Sequence, residues 1–351
     1  MIYYTRKRFK NRVQNKPHIC LHKFAGYAII YVVRRNAVLW ADKRYHSLDY
    51  EMKARYGHKI YKIALDGGFT CPNRDGLIDT RGCIFCSASG SGDFAGSPAL
   101  SVTEQLAEGK ARLRRKRPVR SYIAYFQAYT NTYAPVEYLE RIFLEAISDP
   151  EVVALSIATR PDCLGDEVLA LLHRLNQIKP VWVELGLQTI HEDTARFIRR
   201  GYPLSCFAAA VTQLRAIGIE VIVHVILGLP GEDRDAMLQT CNYLNTCDIQ
   251  GIKLQLLHIL KHTDLATYYT ETGFPVMTQE AYITLLIDCM EQLSPKIVIH
   301  RLTGDGPGAL LIAPLWSQSK RAVLNSLHAE LKRRGTWQGR LFTSVPYDTQ
   351  R

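Results

Sequence analysis

"YKIALDGGFTCPNRDGLIDTRGCIFC", residues 61–86, is the stretch from which the fold can be read. "YKIAL" (61–65) is short, apolar and β-branched enough to predict a buried strand. A long loop follows it, with glycines at 67, 68, 76, 82, 90, 92 and 96 and cysteines at 71, 83 and 86. Beyond the loop the chain alternates. A helix is expected over 101–117, with Thr103 helping to cap it, and then a strand "SYIAYFQ" (121–127). A helix over 135–148 follows, with Pro135 in its first turn, and a strand over 152–158. Next come a helix over 165–177, a strand over 181–187, and helical segments near 191–200 and 204–217. A strand over 219–227, a helix over 232–246 and a sixth strand over 251–259 complete the series. Continuous apolar strands of this kind suit parallel pairing with both faces covered. The pattern predicts an α/β protein built as a complete or partial (β/α) barrel. A doubly wound open sheet has the same periodicity and stays open at this point. A helix over 278–292, a strand "KIVIHRL" (296–302) and a terminal helix near 317–334 follow the six units.

Eleven residues separate Cys71 from Cys83, and two separate Cys83 from Cys86. A CxxC pair offers two thiolates from one turn, and the longer loop returns a third. Three thiolates suit a four-iron cluster with one iron left without a protein ligand. Such an iron can chelate the amino and carboxylate groups of S-adenosylmethionine (SAM). A structural zinc site asks for a fourth ligand, and His46 and His58 stand at no standard spacing for one. A redox CxxC has no use for the third cysteine. The loop follows the first strand, which places it at the C-terminal mouth where barrels build their active sites.

With 351 residues, 47% hydrophobic and 22% charged, the chain can bury a large core and does not have a disordered composition. Nine cysteines, an odd number, argue against a disulfide scaffold and for a reducing, cytoplasmic setting. The apolar run from Phe24 to Val33 is about half a bilayer span, so no membrane segment is expected. The net charge is +11, but residues 1–39 hold nine Lys or Arg and no acid. Subtracting those nine leaves +2 for residues 40–351. Residues 1–39 therefore read as a basic, poorly ordered N-terminal extension, 40–307 as the barrel domain, and 308–351 as a C-terminal helical tail. One acid-free run remains in the domain, from Lys110 to Arg120, and Arg114 and Arg115 within it are candidates for nucleic-acid phosphates.

From Trp40 to Gly339 the chain resembles the YhcC/YtqA family of bacterial radical SAM proteins. The resemblance is carried by "DKRYHSL" (42–48), "KIALDGGFTCPNRDG" (62–76), "GCIFCSASGSGDFAG" (82–96), "YFQAYTNTYAP" (125–135), "ATRPDCL" (158–164), "VELGLQT" (183–189), "HVILGLPGE" (224–232) and "HRLTGDGP" (300–307). The cysteine spacing and "TRPD" are also similar to the radical SAM domain of the elongator catalytic subunit. The resemblance implies a radical SAM partial (β/α)6 barrel with a short C-terminal α/β extension, a [4Fe–4S] cluster on Cys71, Cys83 and Cys86, and SAM. One branch of the family is linked to the tRNA wobble uridine, where a carboxymethylaminomethyl group becomes aminomethyl. That implies tRNA as partner, a one-electron donor such as flavodoxin or ferredoxin, and a downstream methyltransferase. "LGLQT" and "GLPGE" are also similar to the coproporphyrinogen-oxidising radical SAM enzymes, so a small-molecule substrate is the alternative.

The same resemblance distributes roles. Phe85, inside the CxxC turn, is expected against the adenine. Gln127, Thr130 and Asn131 follow the second strand, where the methionine amino group is bound. Thr159 and Arg160 follow the third strand, and Arg160 either holds a carboxylate or pairs with Asp162. Gln188 and Arg200 match ribose-side positions, although His224 stands where the coproporphyrinogen family has Asp. Gly228 and Gly231 would turn the backbone beneath the adenine, unless they form an ordinary strand-to-helix turn. Arg301 and Asp305 are expected on the substrate side.

Overall fold

A computed structural model describes residues 18–24, 27–33, 39–304 and 306–343. Seven parallel strands form one sheet: β1 (Tyr61–Leu65), β2 (Tyr122–Phe126), β3 (Val152–Thr159), β4 (Val181–Gln188), β5 (Glu220–Leu227), β6 (Gly251–Leu256) and β7 (Val298–Arg301). Their spatial order is their chain order. This settles the architecture. A doubly wound sheet must reverse its strand order at a switch point. Here right-handed crossovers that never reverse put the crossover helices on one face, and the twisted sheet curls into a barrel. The barrel is partial, because β1 and β7 do not pair. The strand expected after the six units is β7, and it joins the same sheet.

Ten helices are described: α1 (Leu48–Tyr56), α2 (Val102–Arg114), α3 (Val136–Ser148), α4 (Asp166–Ile178), α5 (Glu192–Phe197), α6 (Leu204–Ala216), α7 (Arg234–Leu244), α8 (Asp264–Thr272), α9 (Gln279–Gln292) and α10 (Lys320–Arg334). α2 is capped by Ser101 rather than by Thr103. Ser101 and Glu104 form a reciprocal capping box, while the Thr103 hydroxyl donates to Glu145 at 2.9 Å.

Alternation along the strands sorts side chains into two sets. Ile63, Leu65, Phe126, Ile157, Val183, Leu185 and Val223 face outward and share a core with Leu106, Phe143, Leu171 and Phe207 of the helices. The inward set is layered. At the N-terminal end Ile123, Ala154, Trp182 and Ile222 pack with Met52 of α1, which plugs the barrel. Two residues further along each strand the lining turns polar, with Tyr125, Ser156, Glu184 and His224. Two further again stand Gln127, Ala158, Gly186 and Ile226, at the mouth.

The C-terminal segment is not a separate tail. Val323, Leu327 and Leu331 are buried, the latter two in the main core. Gln338 is fully buried, its carbonyl accepting from His46 N at 2.9 Å and its amide donating to Ile297 O at 2.8 Å. Residues 46–47 lie along β7, with Ile299 N donating to His46 O at 2.7 Å, and so cover that edge. Of the N-terminal extension, His18–Phe24 and Tyr27–Val33 form an antiparallel hairpin. The remainder of 1–38, and Asp305, lie outside the described residues. No helix among the described residues is long and apolar enough to cross a membrane.

Candidate active site

The loop after β1 folds back on itself through Gly82 N to Asn73 O at 2.7 Å and Ile78 N to Pro72 O at 2.8 Å. Cys86 N donates to Cys83 O at 3.0 Å, which closes the CxxC turn. Asn73 ties the loop to the next-but-two crossover. Its amide donates to Arg199 O at 2.7 Å and reaches the Cys83 sulfur at 3.5 Å. Arg74 donates to Cys86 O at 3.0 Å and Ser87 O at 2.7 Å, which keeps a guanidinium beside the thiols.

All three cysteines line one cavity of about 260 Å³ that runs from the mouth down to the polar layer of the barrel. Three sulfurs spread around one cavity suit a multi-iron cluster, in which each thiolate takes a different iron. Burial pushes the Cys83 thiol up to about 12 and raises Cys86. A redox CxxC needs the opposite shift, whereas a bound cation would draw both into the thiolate form.

The expected cofactor residues divide. Phe85, Gln127, Thr130, Thr159, Arg160, Gln188 and Arg200 line the cavity with the cysteines. Gln188 stands at the end of β4 with φ +66°, and its buried side-chain oxygen has no hydrogen-bond partner. An acceptor left open at the cavity wall fits a ribose hydroxyl of SAM. Asn131 does not line the cavity. It is fully buried and staples its loop to β3, donating to Ala158 O at 2.7 Å. Arg160 forms a two-pronged pair with Asp162, at 2.9 and 2.7 Å, and donates to Arg200 O at 3.0 Å. Its fork is spent on that pair, so the ion-pair reading holds. Arg200 donates to Tyr202 O, Leu187 O and Thr189 O and holds the loop after β4. Gly228 and Gly231 have φ of +90° and +86° and turn the chain from β5 toward α7. They line a different hollow, beside Met237 and Phe274, so the ordinary-turn reading describes them.

Arg301 lines the cavity; Asp305 cannot be placed. Arg114 and Arg115 lie elsewhere. α2 descends from the mouth, so its C-terminal end reaches the far side of the barrel. Arg114 pairs there with Glu151, which precedes β3, and lies over the ring of Tyr122, which opens β2. The basic run is thus at the N-terminal face, opposite the cysteines.

The structure also brings in residues that the sequence reading passed over. Lys62 of β1, Tyr125 of β2 and Lys253 of β6 meet Glu184 of β4 and His224 of β5 inside the barrel. Glu184 accepts from both lysines, from Ser156 at 2.7 Å and from His224 Nε2 at 2.7 Å. Together the cations hold its carboxyl well below the usual range, against the pull of burial. Burial lowers Lys253 to about 7 and His224 to about 4. The available signal was a lone Lys in "YKIAL" and in "GIKLQLL", both strands that carry no other charge.

Comparison with known proteins shows the family. The Radical SAM superfamily model matches residues 80–244, and the Radical_SAM C-terminal domain model matches 249–333. The chain is 48% identical over 301 residues to YtqA of Bacillus subtilis, covering 86% of this chain and 94% of that one. The chain belongs to the YhcC/YtqA family of radical SAM proteins. Protein YhcC of Escherichia coli is 36% identical over 286 residues, 81% of this chain and 91% of its own. A weaker likeness, 28% over 187 residues, reaches a protein named tRNA uridine(34) acetyltransferase from Dehalococcoides mccartyi, covering 51% of this chain and 40% of that one. Among solved structures, the Elp3 protein of Methanocaldococcus infernus superposes with a TM-score of 0.62 at 16% identity, over 80% of this chain and 64% of that one. That likeness is one of fold. The radical SAM family uses a [4Fe–4S] cluster and SAM, so this chain is a radical SAM enzyme.

Proposed function

We propose that the enzyme remodels the 5-substituent of the tRNA wobble uridine, turning carboxymethylaminomethyl into aminomethyl. The observation that carries the reading is the single cavity that joins the three cysteines to a cationic barrel interior. A base side chain entering that cavity meets the cofactor-side residues and Lys253 together. The sequence likeness to a tRNA uridine(34) enzyme supports the same substrate class. In this reading Cys71, Cys83 and Cys86 hold the cluster, and Arg74 balances its negative charge. Gln188, Gln127, Thr130 and Thr159 hold SAM. When bound, the cluster and SAM supply a radical able to take hydrogen from an unactivated methylene. The chain's own residues would fix the position of that methylene; its carbon radical would lose one electron back to the cluster and become an imine, which water would hydrolyse to the aminomethyl group and glyoxylate. A flavodoxin- or ferredoxin-type donor would supply the electron, and a methyltransferase would take the aminomethyl product.

The test is mass analysis of tRNA nucleosides from cells lacking this chain and any paralogue. The carboxymethylaminomethyl nucleoside should accumulate and the aminomethyl form should disappear. Wild-type protein should reverse this, and a Cys71→Ala variant should not. Unchanged nucleosides would remove tRNA as the substrate.

A further inference from the structure

Among the described residues, two lysines of the barrel interior bond one buried carboxylate. Lys253 is 3% exposed, and its ammonium donates to Glu184 and to the Tyr125 hydroxyl at 3.1 Å. Lys62 donates to the other oxygen of the same carboxylate and to Ser156 at 3.3 Å. Two ammonium groups therefore share one carboxylate. His224 adds no further positive charge, because burial keeps it neutral at ordinary pH. Isolated charge in such a place is costly unless it is paired. An ammonium also has three donors, and Lys253 spends two on the partners just named. It lines the cavity that the cysteines line, and Arg301 lines the same wall. Arg160, the other cation expected to grip a carboxylate, is committed to Asp162.

We propose that Lys253, held in place by Glu184 and Tyr125, receives a carboxylate of the substrate and is the group that selects it. This deepens the reading given under Proposed function and rests on the substrate entering this cavity. The carboxylate would supply negative charge beside Lys253 and the acceptor for its third N–H. Glu184 acts as a positioning residue, since without it the lysine would have no fixed direction. Lys62, which bonds the other oxygen of the same carboxylate from β1, fixes the orientation of Glu184.

The experiment uses cluster-reconstituted full-length protein with SAM. Its probes are an anticodon stem-loop bearing carboxymethylaminomethyluridine and the same stem-loop with the side chain as a neutral carboxamide. Malonate serves as a small carboxylate probe without RNA. Wild-type protein should bind the acid about tenfold or more tighter than the amide, the range of a hydrogen bond to a charged group. Lys253→Met should reduce that preference to about twofold while leaving SAM affinity unchanged. Should this variant not fold, the paired Lys253→Met/Glu184→Gln variant removes both charges together and should show the same loss. Equal binding of acid and amide by wild-type protein overturns the proposal while leaving tRNA as substrate. If neither stem-loop binds but malonate raises the melting temperature in a Lys253-dependent way, the carboxylate site stands and the tRNA reading falls. If no probe binds in a Lys253-dependent way, or if Lys253→Met weakens SAM instead, the proposal is wrong.

Discussion

A single buried lysine shows how burial can turn an ordinary side chain into a selective one. Glu184 of β4, Lys62 of β1, Tyr125 of β2, His224 of β5 and Arg301 of β7 all face Lys253 or act on its charge. Burial lowers it to about 7, the Glu184 carboxylate opposes that shift, and Lys62 and Arg301 add to it. The sign follows. Lys253 is charged below that value and loses its proton as pH rises through it. Lys62 is lowered as well, also chiefly by burial. Tyr125 is raised well above its usual value and His224 lies near 4, so neither changes charge in the working range. The preference for the carboxylate over the carboxamide should therefore be strong near about pH 6 and fall by about pH 9. Lys253→Arg, which keeps its charge at every accessible pH, should flatten that profile. A preference that rises with pH would contradict the assignment. The sequence showed the cysteines because their spacing is chemically unusual. It hid Lys253 because one charged residue in an apolar strand looks like a surface position until a curled sheet turns it inward.

At the scale of elements, the crossover after β4 and the loop after β1 hold each other. Gly201 lies between them with φ +85°, and an added Cβ would come within 2.7 Å of the Asn73 side-chain oxygen. Gly201→Ala should thus strain the backbone and push away the asparagine that spans the cysteine loop and Arg199. The expected cost is about 1–3 kcal/mol, read as a lower melting temperature with loss of iron from the reconstituted protein. Ser101→Ala, which breaks the capping box of α2, should cost about 1 kcal/mol and keep its iron. Equal iron loss in both would mean that the cysteine loop answers to general stability, not to this contact. The strands and most helices were legible from periodicity, to within a few residues at their ends. α1 and α8 were not, because both are short and lack a strong apolar stripe. Met52 of α1 nonetheless plugs the barrel, which is a tertiary fact with no local signal.

The whole molecule has a chemical end and a structural end. The three cysteines and the open cavity lie toward the C-terminal ends of the strands, while α1 and the basic end of α2 lie at the other. Arg114 and Arg115 are exposed there. Replacing both with Ala should leave stem-loop affinity within about twofold and should not change its salt slope, since they lie away from the site. A large fall in affinity with a shallower slope would place RNA on the opposite face. Sequence alone could not decide this, because a helix after a mouth loop begins at the mouth and ends a barrel's height away. Its charge run is visible, but its direction only emerges with the sheet. Sequence also could not separate the curled sheet from a doubly wound one, since strand order is a property of the assembled chain. The central claim is that the cysteine site and the lysine floor form one reaction chamber for the wobble-uridine side chain. It is tested most directly by incubating cluster-reconstituted enzyme, SAM and a reductant with tRNA deuterated at the carboxymethyl methylene. The account predicts 5′-deoxyadenosine that carries deuterium, together with aminomethyluridine in the tRNA. Undeuterated 5′-deoxyadenosine with the tRNA unchanged would contradict it.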